Sequence, residues 1–342
     1  GEKDLAQLIK EQPIQWLGKE VATKFEALPY LFKILDVRDM LSIQVHPSKE
    51  NAVIGFKAEE AKGISIDAAH RNYKDENHKP EVMVALSDFW LLHGFLAPAV
   101  LEKRLNSYSY FKPLLNEFKG SDYKNLYAYF MQLPMEAADA ILKPLLEEAA
   151  KAVAKGTVTK NDPHWWAHKY YADGIPSKNI DKGIFSIYIL NIVNIPKYKG
   201  IFQGAGILHA YLEGQNIELM ANSDNVLRGG LTPKHIDVKE LIHHVNFVPT
   251  NPSILKGDKL TDQEINYPCP VPDFGLTKIA LNQGEVYTIS SYSLEMLLVM
   301  DGEVIIEDMA YKAGDTALLT ANAKVKIKAH TATVLFKAYV PK

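Results

Sequence analysis

One cysteine, Cys269, stands in the 342 residues of this chain. It has no partner for an internal disulfide, and a structural zinc site built on several thiolates is excluded with it. Any metal here must rest on imidazole, carboxylate or amide ligands. Long apolar runs are also missing: none reaches the ~18 residues that a membrane-spanning helix needs. Residues Gly1 to Lys10 carry charges and no apolar stretch of the signal-peptide kind, so a cytoplasmic location is the expectation. Nor is there an excess of charge. The 38 basic and 41 acidic residues leave −3, which points to neither nucleic acid nor an anionic membrane as partner. Fixed-period repeats and low-complexity tracts are absent as well. What remains, 47% hydrophobic and 23% charged, is the composition of a soluble globular protein long enough for two or three domains.

The pattern along the chain changes three times. Leu5, Leu8 and Ile9, then Val21, Phe25 and Leu28, recur at helical spacing. From Leu31 the period becomes two. Phe32, Ile34 and Val37 lead into Leu41, Ile43 and Val45, which alternate with Ser42, Gln44 and His46. Alternate residues of a strand share a face, so the three polar side chains point together, into a site at a barrel mouth or onto the open face of an edge strand. Between Pro98 and Asp173, Leu and Ala return to helical spacing, which predicts an all-helical block. Pro144 is expected to open one of its helices, and Asp162-Pro163 to cap and start another.

From Gly183 the run IFSIYILNIVNI predicts strand again, and the region after 245 reads as β throughout. A hairpin is expected around Asp301-Gly302, a tight turn at Gly314-Asp315, and a strand where Lys alternates with Val325 and Ile327. Many short strands with Gly/Asp turns favour a sandwich or jelly roll over a parallel sheet.

Histidine is scarce, with 11 in the chain, so its placement carries information. His46 lies two residues after Gln44, His209 follows the Gly204–Gly206 turn, and Glu81 sits just past Pro80. Two imidazoles, a carboxylate and an amide oxygen suit zinc, but four residues this scattered are not joined by spacing alone. Other histidines carry weaker signals. His164 and His168 stand at helical i, i+4 spacing without an intervening Glu; His243 and His244 point apart; His78 either lines the pocket or does not. Cys269, in the rigid YPCPVP loop, is not read as catalytic.

The strings PYLFKILDVRDMLSIQVHPSKE, RNYKDENHKPE and GILHAYLEGQNIELMANSDNVLRGGLTPKHID closely resemble, in order, the signatures of the type I mannose-6-phosphate isomerases. The resemblance covers most of the chain and is loosest in its C-terminal part. It implies a mainly β fold, two cupin-type jelly rolls with an inserted all-helical domain. The expected divisions are 1–95 with 176–244 for the catalytic cupin, 96–175 for the helices, and 245–342 for a cupin without metal. Members of the family generally carry further residues ahead of the point where this chain opens, so the first jelly roll is expected to be short or to lack its leading segment.

The same resemblance implies one zinc ion held by Gln44, His46, Glu81 and His209. It implies catalytic roles for Arg228, Lys79 and Asp224, and substrate contacts from Ser42, Glu218 and Lys234. The implied activity interconverts mannose 6-phosphate and fructose 6-phosphate through an enediol. A small sugar phosphate is then the partner, with neither nucleic acid nor membrane, and the chain is expected to be a monomer. Two other readings compete: a cupin that binds sugar phosphate over its metal without turning it over, and an iron oxygenase. Gln44 in place of a histidine speaks against the oxygenase, and Arg228 and Lys79 beside the ligands speak against a mere binder.

Overall fold

The structure is a computed structural model that describes residues 4–342. Three short helices come first: α1 (Leu5–Glu11), capped by the Asp4 side chain on the Gln7 amide, α2 (Pro13–Leu17) and α3 (Lys19–Phe25). The expected change of period follows, with β1 (Tyr30–Val37) and the short β2 (Ile43–Val45). Ile43 and Val45 are fully buried as the alternation predicts, whereas Leu41, just ahead of the strand, is exposed. Ser48 caps α4 (Lys49–Ala61), and β3 (Glu81–Ala85) and β4 (Phe89–Phe95) complete this stretch.

The next segment carries α5 (Pro98–Asn106), a 3-10 turn at Ser109–Phe111, α6 (Lys112–Phe118), α7 (Tyr123–Gln132), α8 (Met135–Ala154) and α9 (Pro163–Tyr170). Asp162 caps α9 with Pro163 at its first position, as read from the sequence. Pro144 is different: it lies inside α8 instead of opening it. A proline within a helix costs ~3 kcal/mol locally. Here Ala138 and Leu142 before it and Leu145, Leu146 and Ala149 after it form one buried face, and packing that long face outweighs the broken turn.

A second departure follows at once. Gly183–Ile189, expected as strand, is the helix α10, with all seven of its residues buried; only then does β5 (Leu190–Ile195) begin. A short run that is apolar on every side has no period to read, so burial within the fold decides its form.

After β6 (Gly200–Gln203) comes β7 (His209–Ala221), the longest strand, and β8 (Leu227–Gly230). The first residues of β7 pair with β2 and β4, and the rest pair with β1 and β3, all antiparallel. Gly214, at φ +122°, sits where the strand passes between these partners, against the backbone of Asp88 and Phe89, and a Cβ there would clash. Helix α11 (Val238–His244) follows β8.

The C-terminal part is antiparallel throughout. Its strands are β9 (Asp258–Lys259), β10 (Glu264–Tyr267), β11 (Gly275–Leu281), β12 (Val286–Ser290), β13 (Glu295–Asp301), β14 (Glu303–Ile306), β15 (Met309–Lys312), β16 (Thr316–Leu319), β17 (Lys324–Ala329) and β18 (Thr333–Tyr339). They form one sheet ordered β16-β13-β18-β11-β10-β9 and a second ordered β12-β17-β14-β15. Asp301-Gly302 is therefore not a hairpin: it carries the chain from the first sheet to the second, and the hairpin is β14–β15. Leu297 and Val299 on one side of that crossing and Val304 and Ile306 on the other share one core, which is why the strands face each other instead of pairing.

The outer face of β3 and β7 (Val82, Val84, Ile217, Leu219) packs against Leu276, Leu298, Phe336 and Ala338 of the C-terminal part. Tyr30 closes this junction. Its hydroxyl donates to the Leu294 carbonyl at 3.0 Å and the Ala338 carbonyl at 3.2 Å, fully out of water. Tyr30→Phe keeps the ring but strands both acceptors, and should lower stability by about 1–3 kcal/mol. Denaturant titration measures this, and an unchanged midpoint would refute the claim that the hydroxyl fastens the two parts.

Candidate metal centre and its surroundings

The strand register assembles the site. Gln44 on β2 is paired with His209 on β7 and with Arg228 on β8, and His209 is paired in turn with His93 on β4. Directly opposed residues of antiparallel strands project to one face. His93, His209, Gln44 and Arg228 thus stand in a row, with His46 two residues beyond Gln44. Glu81 at the start of β3 meets them from the other set of strands.

The His46 Nε2 atom lies 3.3 Å from one carboxylate oxygen of Glu81, and the His209 Nε2 atom 3.4 Å from the other. The ring centroids of the two histidines are 5.1 Å apart. All three side chains are 0–1% exposed, and His46 Nε2, His209 Nε2 and Glu81 Oε2 lack any hydrogen-bond partner. Stripping such groups of water without compensation costs several kcal/mol, so the arrangement makes sense with a cation among them. Among the described residues this is the group that could hold a metal ion.

The opposite ring nitrogens explain the orientation. His46 Nδ1 donates to the Asn225 carbonyl at 2.9 Å and His209 Nδ1 to the Ile207 carbonyl at 2.8 Å. A carbonyl only accepts, so the proton sits on Nδ1 and each Nε2 lone pair is free for a metal. Charge agrees with this. Burial lowers the pKa of His46, against the pull of Glu81, and favours the neutral ring. For Glu81 burial alone would raise the pKa, and the Lys79 ammonium works against that, favouring the charged carboxylate. Lys79 Nζ lies 3.4 Å from Glu81.

Glu218 on β7 is buried on the same side, 3.5 Å from Lys33, and burial together with Glu81 raises its pKa. Ser42 is half-buried one residue ahead of β2. Asp224 and Lys234 are exposed, on the loops before and after β8. Outside the centre, His164 hydrogen-bonds Tyr188 at 2.7 Å, His244 hydrogen-bonds Tyr73 at 2.6 Å, and His78 bonds Asp273 at 3.0 Å. Burial pushes the Cys269 thiol up to about 12, which leaves it unreactive.

Several supporting residues escaped the sequence reading. Asn225 is one: its buried amide accepts the Lys74 N–H at 2.7 Å and donates to the Asp75 and Asn77 carbonyls, both at 2.8 Å. That stitching places the carbonyl that holds His46. Lys33, the one charge inside the apolar run LFKIL, was a legible signal for the partner of Glu218.

A family model described as the catalytic domain of type I phosphomannose isomerase matches residues 1–97. The chain is 36% identical over 341 residues to the mannose-6-phosphate isomerase of Escherichia coli, covering 95% of this chain and 83% of that protein. It is 30% identical to the Rattus norvegicus enzyme of the same name, covering 100% of this chain and 82% of the relative. A crystal structure of the Salmonella typhimurium mannose 6-phosphate isomerase bound to fructose 6-phosphate and zinc superimposes with a TM-score of 0.84. That alignment has 32% identity and covers 99% of this chain and 86% of the other. The chain belongs to the type I phosphomannose isomerase family.

Proposed function

We propose that this protein is a zinc-dependent isomerase interconverting mannose 6-phosphate and fructose 6-phosphate. The observation that carries the reading is the converging set of unpartnered atoms on His46, Glu81 and His209, in a chain whose relatives bear this name. Gln44, directly beside His209 in the register, is the fourth ligand in this reading. Two neutral imidazoles, one carboxylate and one amide oxygen fit zinc and leave a net positive centre. Zinc, when bound, supplies positive charge that polarises the oxygens of the reacting carbons.

The protein's own side chains carry the remaining tasks. Moving a proton between C1 and C2 passes through an enediol with negative charge on oxygen. Arg228, next to Gln44 across the sheet and always charged, holds that charge and is a poor base. Lys79 and Asp224 are the groups we assign to proton transfer, one beside Glu81 and the other on the exposed loop we read as the rim of the site. Ser42, Glu218 and Lys234 contact the sugar and its phosphate. Architecturally we read two jelly rolls, residues up to 95 with 176–244 and residues 245–342, with the helices of 96–175 inserted. Support comes from the facing antiparallel sheets and the run of helices between β4 and β5.

Chelation should abolish the conversion of mannose 6-phosphate, and zinc should restore it. Full activity in a preparation shown to be free of metal would sink the zinc reading.

His209→Ala should lose the metal, whereas Arg228→Ala should keep metal and fold but lose most of its kcat. Metal analysis of both proteins decides this. Equal metal loss in the two would mean that Arg228 supports the centre structurally.

Free mannose lacks the phosphate dianion, and charge-assisted hydrogen bonds are worth about 1.5–3 kcal/mol each. After phosphate desolvation the phosphorylated sugar should retain an advantage of about 2–4 kcal/mol, roughly thirty- to a thousandfold in kcat/KM. Lys234→Met should shrink that advantage. Proportional loss with both sugars would remove Lys234 from the phosphate site.

A further inference from the structure

The loop after β8 that carries Lys234 has an anchor outside the site. One oxygen of the Asp181 carboxylate accepts the backbone N–H of Gly183 at 2.7 Å and of Leu231 at 2.9 Å. The other oxygen accepts the N–H of Thr232 at 2.8 Å. The Asp181 N–H in turn donates to the Tyr171 hydroxyl at 2.8 Å. One carboxylate therefore gathers donors from the start of α10 and from the loop behind β8.

The backbone it holds is unusual. Leu231 is left-handed at φ +52°, which a residue with a branched side chain adopts at a cost, and it is 4% exposed. Gly230 and Gly183 lie main chain to main chain, and a Cβ on either would collide with the other. The Leu231 and Thr232 N–H donors point at Asp181 because the chain turns back through this conformation, whereas the Gly183 N–H is held locally. Immediately beyond, the Thr232 hydroxyl accepts the Lys234 N–H at 3.2 Å, and two residues before the turn is Arg228. Asp181 thus fixes the segment that runs from one cation to the other.

We propose that Asp181 is a positioning residue for substrate binding: by clamping Leu231 and Thr232 it fixes the spacing of Arg228 and Lys234 so that the phosphorylated sugar meets both. This rests on the reading of the rim as the phosphate end of the site. Charge-assisted bonds from a carboxylate are stronger than those an amide makes. Asparagine at this position keeps the shape, but its NH2 faces backbone donors and at least one of the clamping bonds is lost.

The test compares Asp181→Asn with the unaltered holoenzyme on mannose 6-phosphate and on free mannose, with zinc content and Tm measured alongside. We expect kcat/KM for the phosphorylated sugar to fall ~10-fold or more, through KM, while kcat and the activity on mannose stay within ~3-fold. Zinc content should not change. Equal loss on both sugars, or loss of zinc, overturns the proposal, because a clamp that merely supports the fold would act on everything together. Should Asp181→Asn fail to fold, Tyr171→Phe, which removes only the acceptor of the Asp181 N–H, is judged by the same ratio of activities. Lys234→Met is read separately. If it leaves the preference for phosphate intact, the reading of the rim as the phosphate end fails and the proposal with it. If it removes the preference while Asp181→Asn does not, the clamp fails and that reading stands.

Discussion

Two backbone carbonyls, those of Ile207 and Asn225, set the direction of the centre's nitrogen lone pairs. Each takes the Nδ1 proton of one buried imidazole, and each therefore leaves an Nε2 facing Glu81. Without them the histidines could rotate or exchange tautomers, and the cluster would be two polar rings trapped in a core. The two carbonyls are secured in different ways. Ile207 is two residues from His209, just ahead of β7, so its hold is local. Asn225 belongs to a distant loop, and its position depends on the amide bonds it makes to residues 74–77. The metal centre thus requires β2, the start of β3, the start of β7 and the paired loops at 74–77 and 222–225 all to be in place.

Strand β7 reconciles these demands with a stable core. It begins at His209, one of the unpartnered donors, and ends at Ala221, beside the loop that holds His46. Beyond the register shift near residue 212, residues of alternate parity serve opposite faces. Ile217 and Leu219 bury against the C-terminal sheet, while Glu218 faces the side of Glu81 and Lys33. The C-terminal part contributes none of the three metal-facing residues. It covers the apolar back of β3 and β7, which would otherwise be an exposed sheet, and it gives Tyr30 its two acceptors. Stability is supplied from one face of the strands and chemistry from the other.

How much of this was legible follows from where the information lies. The switch from helical to strand period near residue 30 is written in local alternation and emerges in the structure, but the strand is shorter than the pattern: β2 keeps Gln44 and leaves Ser42 and His46 just outside its ends. The three misreadings have a different cause. Pro144 within α8, the helix at Gly183–Ile189 and the crossing at Asp301-Gly302 are each decided by burial against distant residues, which a local pattern does not contain. The long motifs pointed to Glu81 and His209, though nothing in their spacing brings them together; the register of β3 and β7 does. Asn225 and Asp181 were illegible as supports because Asx residues in loops ordinarily bond their own neighbours. These two bond backbone groups far away in sequence.

A last consequence concerns how the site separates holding from choosing. The metal-facing residues are buried, each fixed by a strand, a carbonyl or an ion pair, and a change in any one leaves uncompensated polar atoms in a dry interior. The residues we assign to the substrate and its charged end are built otherwise: Asp224 and Lys234 are exposed, and a loop without regular structure carries each. Exposed lysine is flexible and strongly hydrated, so it loses much entropy on binding unless its backbone is already placed. Selectivity for a charged end of a substrate then depends less on the lysine itself than on what holds its loop. A left-handed Leu231 clamped by a carboxylate is costly to form, and that cost falls during folding, before any substrate arrives. Preorganisation of this kind lets a surface cation act with some of the precision of a buried one.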